Sequence, residues 1–141
     1  MSAEQNKKTV RTIFEEVLTT GDQQRASELV APGYVNHSFP LPQPGPEGLV
    51  QLTGMFRAAF PDIRVTLEDV LAEDDRVATR GYFIGTHRGE FMDVPATGKS
   101  VRVAYADVWR LENGKVAENW VQMDLLGLMQ QLGAAPAPVG A

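Results

Sequence analysis

Apolar residues recur at Val10, Ile13, Phe14, Val17 and Leu18, with polar residues between them. These offsets lay one apolar stripe along a helix, and Gly21 ends it. "DQQRASELV" predicts a shorter second helix, capped by Asp22, with Ala26, Leu29 and Val30 inward and with Pro32 and Gly33 stopping it. "YVNHSF" reads as a short extended piece, and "PLPQPGPEG", with four prolines and two glycines, reads as a loop. A third helix starts near Pro46 and collects Leu49, Leu52, Met55, Phe56, Ala59 and Phe60 on one side. Pro46 suits a first turn, and Pro61 forbids continuation.

The period then changes. "IRVTLEDVLA" sets Ile63, Val65 and Leu67 against Arg64, Thr66 and Glu68, the alternation of a half-buried strand. "EDDR" is a turn, "VATRGYFIGTH" a second strand and "RGEFMDVPATGKS" a loop. "VRVAYADVWRLENGKVAENWVQMD" is a β-hairpin turning at Asn113-Gly114. "LLGLMQQLG" closes the fold as a helix with Leu125, Leu128, Met129 and Leu132 inward and Gly133 as its C-cap. "AAPAPVGA" is a loose tail. Helices first and strands later predict an α+β domain, with an antiparallel sheet curled over the helices. One domain spans 1–141, with a core of about 8–135 and a tail at 134–141.

One strand breaks its own pattern. The row Val101, Val103, Tyr105, Asp107, Trp109, Leu111 is apolar except for Asp107. Two registers are open for the hairpin. A two-residue turn sets Asp107 opposite Trp120, whereas a three-residue loop with Gly114 as a left-handed bulge sets it opposite Asn119. The second is preferred, because Ala117, Asn119, Val121 and Met123 then point inward and Glu118, Trp120, Gln122 and Asp124 outward. It leaves Ala104, Ala106, Val108 and Trp120 on the outer face, a strip that suits a second copy of the chain.

Composition narrows the function. The 141 residues are 43% hydrophobic and 22% charged, with net charge −5 from 13 basic and 18 acidic residues. A chain of this length buries roughly two thirds of its unfolded surface and needs no staple. The acidic balance argues against nucleic acid or an anionic membrane as partner. With no cysteine there is no thiol chemistry, and a cytoplasmic location is expected. The polar start "MSAEQNKKTV" lacks the apolar segment of a signal peptide, and no apolar run approaches the roughly 20 residues of a membrane span. Two histidines 50 positions apart, His37 and His87, make no metal-binding spacing, and phosphate-loop and dinucleotide motifs are lacking. No metal and no cofactor are expected.

The segments "YVNHSFP", "AAFPDIRV", "GTHRGEF", "TGKSV", "WRLENGKVAENW" and "DLLGLMQQLG", in that order, resemble the SnoaL-like polyketide cyclases of the nuclear transport factor 2-like superfamily over roughly residues 8–135. The resemblance implies a cone-shaped curved antiparallel sheet wrapped around N-terminal helices, an internal pocket and a homodimer. It also favours the bulged register. In the cyclases an aspartate on the last strand and a histidine on the preceding strand carry acid–base chemistry. Those positions here are Val121 and Asp107. Valine transfers no proton, so the cyclase mechanism does not carry over unaltered, and fold alone does not name the reaction.

Asp107 is the sharpest candidate. Among Val103, Tyr105, Trp109 and Phe83 its carboxylate is poorly solvated, which raises its pKa toward the range of a neutral-pH acid–base catalyst. It is either that catalyst or a structural carboxylate bonded to its neighbours. Asn119 either positions Asp107 or a substrate carbonyl, or forms a polar pair. His37 is a second catalytic candidate, since histidine titrates near neutrality. The resemblance puts it with Tyr34 at the pocket mouth. His87 is expected to pin the loop after it, a loop whose Phe91 and Met92 could cover the pocket. Asp124 reads as the last helix's N-cap. Phe14, Leu18, Phe56, Phe60, Phe83, Tyr105 and Trp109 are either pocket lining or core. Gly81, inward and without a side chain, leaves room for a ligand. The expectation is a cofactor-free acid–base enzyme for a small apolar carbonyl compound such as a polyketide, with a non-catalytic small-molecule binder as the alternative.

Overall fold

The computed structural model describes residues 2–136; the expected tail beyond them lies outside the described residues. Helix α1 (Ala3–Thr12) starts earlier than the apolar stripe, because a polar capping box starts it. Ser2 Oγ accepts the Gln5 N–H at 3.1 Å, and the Gln5 side chain accepts the Ser2 N–H at 3.0 Å. The helix runs on into a wider π-helical segment, Ile13–Leu18, which buries Ile13, Phe14 and Val17. Asp22 caps α2 (Gln23–Leu29) as expected, accepting the Arg25 N–H at 3.1 Å.

The residues expected to stop α2 do not form a loop. Val30 already opens strand β1 (Val30–Asn36), which passes through Pro32 and Gly33. β1 lies at the sheet edge, parallel to β6, and pairs at Val30, Val35 and Asn36 with a register break between. Pro32 sits in that unpaired stretch, where its missing N–H breaks no ladder bond. Helix α3 (Gly45–Ala59) carries Pro46 in its first turn and ends before Pro61.

"IRVTLEDVLA" becomes two strands rather than one, β2 (Arg64–Val65) and β3 (Asp69–Glu73). Both lie against β4 (Arg76–Thr86), Val65 opposite Phe83 and Asp69 opposite Arg80, so the register slips by one residue between them. β4 pairs with β5 (Ser100–Glu112), β5 with β6 (Lys115–Met123), and α4 (Leu125–Leu132) follows, its C-cap Gly133 at φ +78. The six strands run β1-β6-β5-β4, with β2 and β3 on β4's other edge. This mixed sheet curls into a half-barrel against the helices, the α+β cone of the sequence reading, its one parallel pair being β1 with β6.

The hairpin follows neither expected register. Asn113 (φ +50) and Gly114 (φ +78) form a tight two-residue turn, and Glu112 pairs with Lys115. Val116 then faces Leu111 but Glu118 faces Arg110, so Ala117 is the extra residue of a bulge. Asp107 therefore lies opposite Val121, not Asn119, and Asn119 lies opposite Trp109. One extra residue flips the faces, so the inward and outward sets come out as expected although the bulge is in β6 and not at Gly114. Val10, Ile13, Phe14 and Val17 pack on Tyr105, Trp109 and Leu111, while Phe60, Phe83, Phe91 and Leu128 form a second cluster nearer the loop end.

Candidate active site

Asp107 sits mid-strand on β5, on the inner face, with Thr79 beside it on β4 and Val121 beside it on β6. It is 7% exposed. Both of its directional bonds fall on Oδ1: the Thr79 hydroxyl donates to it, and Trp109 Nε1–H donates at 2.9 Å. Oδ2 has no such partner. Burial raises the Asp107 pKa to about 7, against the donors of Thr79, Trp109 and Asn119, which pull it down. Desolvation wins because three neutral dipoles replace only part of the water a carboxylate loses.

Asn119 stands next to Asp107, but its directional bond goes elsewhere. Its Nδ2–H donates to the Val108 carbonyl at 3.0 Å. Its Oδ1 accepts from Asn36 Nδ2 at 3.3 Å and from Tyr34 OH at 3.5 Å. Asn36 Oδ1 in turn accepts the Ser38 and Phe39 N–H groups at 2.8 and 2.9 Å. Backbone groups at both ends of this chain fix which way each amide points. Asn36 Nδ2 keeps a second N–H, and Asn36 lines the same cavity as Asp107.

That cavity has a volume of about 100 Å³. Phe14 and Leu18 of the π-helical segment, Leu49, Leu52 and Phe56 of α3, and Phe83, Tyr105 and Trp109 of the sheet make its apolar walls. Asp107, Asn119 and Asn36 form a polar end, and Thr53 is a further polar wall residue. Phe14 stacks on Tyr105 at 5.8 Å and meets Trp109 edge-on at 5.7 Å, so the first helix closes the cavity over the sheet. Phe39, on the loop after β1, adds another wall.

Asp107, Asn119, Val121, Phe56, Phe83, Tyr105 and Trp109 thus come together as the sequence suggested. The others do not. His37 projects from the opposite face of the sheet, stacked on Trp120 at 4.9 Å and bonded to Glu118 at 2.8 Å, and cannot reach the cavity. Asn36, the last residue of β1, turns in, and His37, the residue just after it, turns out. Tyr34 is fully buried core behind Asn119 and not at a mouth, and burial raises its pKa. The space at Gly81 is already filled: a Cβ there would lie 2.1 Å from the Thr66 carbonyl oxygen and 2.9 Å from Tyr105 OH. The Tyr105 hydroxyl donates to that same carbonyl.

Phe60 and Phe91 belong to the second core cluster. Phe91 closes a tight turn with Val94 and Met92 is 58% exposed, so this loop anchors itself and does not cover the cavity. His87 does pin the loop, its Nδ1 accepting the Thr97 N–H at 3.2 Å. Asp124 caps α4 at Gly127 N–H, 2.9 Å, as expected.

Thr79 and Asn36 were missed. Thr79 carries the signal that marked Asp107, a polar residue in the inward row of its strand. Asn36 carried none, since its place depends on how the edge strand docks. Among the described residues no three potential His, Asp or Glu metal ligands cluster, and no helix is long and apolar enough to cross a membrane.

The SnoaL-like polyketide cyclase profile matches residues 8–132. TsrD from Streptomyces laurentii is 27% identical with a TM-score of 0.87, covering 96% of this chain and 99% of that one. IdmH from Streptomyces antibioticus, provisionally assigned as a polyketide cyclase, is 31% identical with a TM-score of 0.78 over 91% of this chain and 98% of its own. AclR from Streptomyces galilaeus, provisionally assigned as a hydroxylase, is 28% identical with a TM-score of 0.83, covering 99% of this chain and 87% of that one. No curated protein matches the sequence. With the profile spanning nearly the whole described cone and its cavity, the chain belongs to the SnoaL-like polyketide cyclase family.

Proposed function

We propose that this chain is an acid–base enzyme that acts without a cofactor on a small, largely apolar carbonyl compound, such as a polyketide, in a cyclisation or isomerisation. The observation that carries the reading is Asp107: a carboxyl at the end of an apolar cavity, with Oδ2 outside the bonds from Thr79 and Trp109 and a pKa of about 7. Near neutral pH both of its protonation states are populated, which is what removing and returning one proton requires. As carboxylate, Asp107 takes a proton from carbon next to the substrate carbonyl; as acid, it gives one back. The spare Asn36 N–H receives the oxygen on which charge develops. Asn119 holds Asn36 in place, and the walls exclude water. The substrate's own carbonyl is the electron sink, so this chemistry asks for no further group.

The test is solvent deuterium exchange at the carbon next to the carbonyl of candidate ketones, followed by NMR. The parent protein accelerates exchange, and Asp107→Asn lowers the rate by about 10²–10⁴-fold with binding retained. Exchange at the parental rate in Asp107→Asn, with ligand bound normally, would sink the reading. A second reading rests on Val121, which stands directly opposite Asp107 and cannot move a proton. On that reading the protein only binds its ligand, and exchange stays at the solvent rate in the parent.

The protein also acts as a homodimer in this proposal. Leu71, Ala78, Val108 and Trp120 stand directly across from one another on four adjacent strands, forming an apolar row across the outer face. Leu71 is 67% exposed in the single chain, and a second copy would cover it.

A further inference from the structure

We infer that the Phe39 ring is the gate of the cavity and sets how many fused rings its ligand can have; this rests on the reading that a small molecule occupies the cavity. At about 100 Å³ the cavity is smaller than the roughly 150 Å³ that holds benzene in an engineered protein core. A ring-bearing ligand is therefore fully enclosed only if a wall moves. Phe14, Phe83, Tyr105 and Trp109 are buried and locked between elements. The other two aromatic walls are Phe39 and Phe56, both half-buried. Phe56 packs on Phe83 at 5.8 Å and Phe91 at 5.2 Å as well as on Phe39. Phe39 has a single aromatic contact, edge-on to Phe56 at 6.2 Å, and is the only one of the six on a loop. Its displacement loses the least packing.

The main chain around Phe39 does not swing with it. Its N–H is bonded to Asn36 Oδ1 at 2.9 Å, and Ser38 Oγ accepts the Val121 N–H at 2.7 Å. Pro40 follows and restricts the Phe39 backbone further. At the far end, Gly48 of α3 touches the Gln43 carbonyl so closely that a Cβ would lie 1.9 Å from it. With the loop held at both ends, the motion left is rotation of the Phe39 side chain toward solvent. The volume it vacates is about one ring, so this position decides between one-ring and two-ring ligands.

Titration calorimetry with acetophenone and acetylnaphthalene on the parent, Phe39→Ala and Phe39→Trp tests this. The affinity ratio of the naphthyl to the phenyl ketone should rise about tenfold in Phe39→Ala and fall about tenfold in Phe39→Trp. Thermal unfolding confirms that each variant is folded. An unchanged ratio across the three proteins overturns the gate and leaves the cavity as a ligand site. If none of the three binds either ketone, the ligand-site reading falls and the gate falls with it.

Discussion

Replacing Asp107 with asparagine should stabilise the protein at neutral and alkaline pH while removing its acid–base group. The folded carboxyl has a pKa of about 7 against an ordinary 3.8. Below about pH 4 it is protonated in both the folded and unfolded states and contributes no pH dependence. Between about pH 4 and 7 the unfolded chain ionises it freely while the fold resists, so the folded state binds more protons and stability falls as pH rises. Above about pH 7 the loss is complete. Roughly three pH units at about 1.4 kcal/mol each give a ceiling of about 4 kcal/mol. Asparagine is neutral at every pH, nearly the same shape, and keeps an Oδ1 to accept from Thr79 and Trp109.

Urea unfolding of both proteins from about pH 4 to about pH 8 reads the difference directly. Groups common to both cancel. Asp107→Asn should lie within about 1 kcal/mol of the parent at pH 4 and gain on it steadily to pH 7. The melting temperature should then be higher by about 10 °C. Parallel stability curves across this range would refute the reasoning, since they would mean that Asp107 ionises in the fold as easily as in water. A group that weakens the fold in its working state is what a catalytic position is expected to contain.

Thr79→Val removes a donor to Oδ1, so it should lower stability by about 1–2 kcal/mol at pH 8, lower it less at pH 4, and move the Asp107 titration upward, as followed by Trp109 fluorescence. Gly81→Ala forces a methyl against the Thr66 carbonyl and should cost about 1–3 kcal/mol in urea unfolding; a neutral effect would mean that the β2–β3 junction yields. Leu71→Glu should convert a dimer to a monomer in light scattering while leaving cavity binding unchanged. A parent that is monomeric, or a variant that stays dimeric, would show that the outer face is not the interface.

Much of the site was legible because strand chemistry is periodic. Asp107 declared itself as the one carboxylate in an apolar row, and Thr79 carried the same mark. Strand parity places Asn119 and Val121 on the inner face whether the extra residue lies in the turn or, as in the structure, at Ala117. Parity depends only on whether one residue is inserted, whereas the site of insertion depends on twist and packing. The misplacements share a cause. Tyr34 and Asn36 belong to the edge strand and His37 follows it directly, and only pairing with β6 establishes which way each points. Gly81 looked vacant because an absent side chain is visible in sequence and the carbonyl that fills its place is not.

The sequence by itself determined the Asp22 and Asp124 helix caps, the apolar helical stripes, the place of the hairpin turn and the inward aspartate. These follow from local backbone chemistry and from periods of 3.6 and 2 residues. Only the tertiary structure decided that Thr79 and Asn119 stand beside that aspartate, that His37 lies outside, and that a cavity of about 100 Å³ remains beside it. Those outcomes depend on where elements far apart in the chain meet, and on the burial of a carboxyl group, which moves its proton equilibrium to neutral pH.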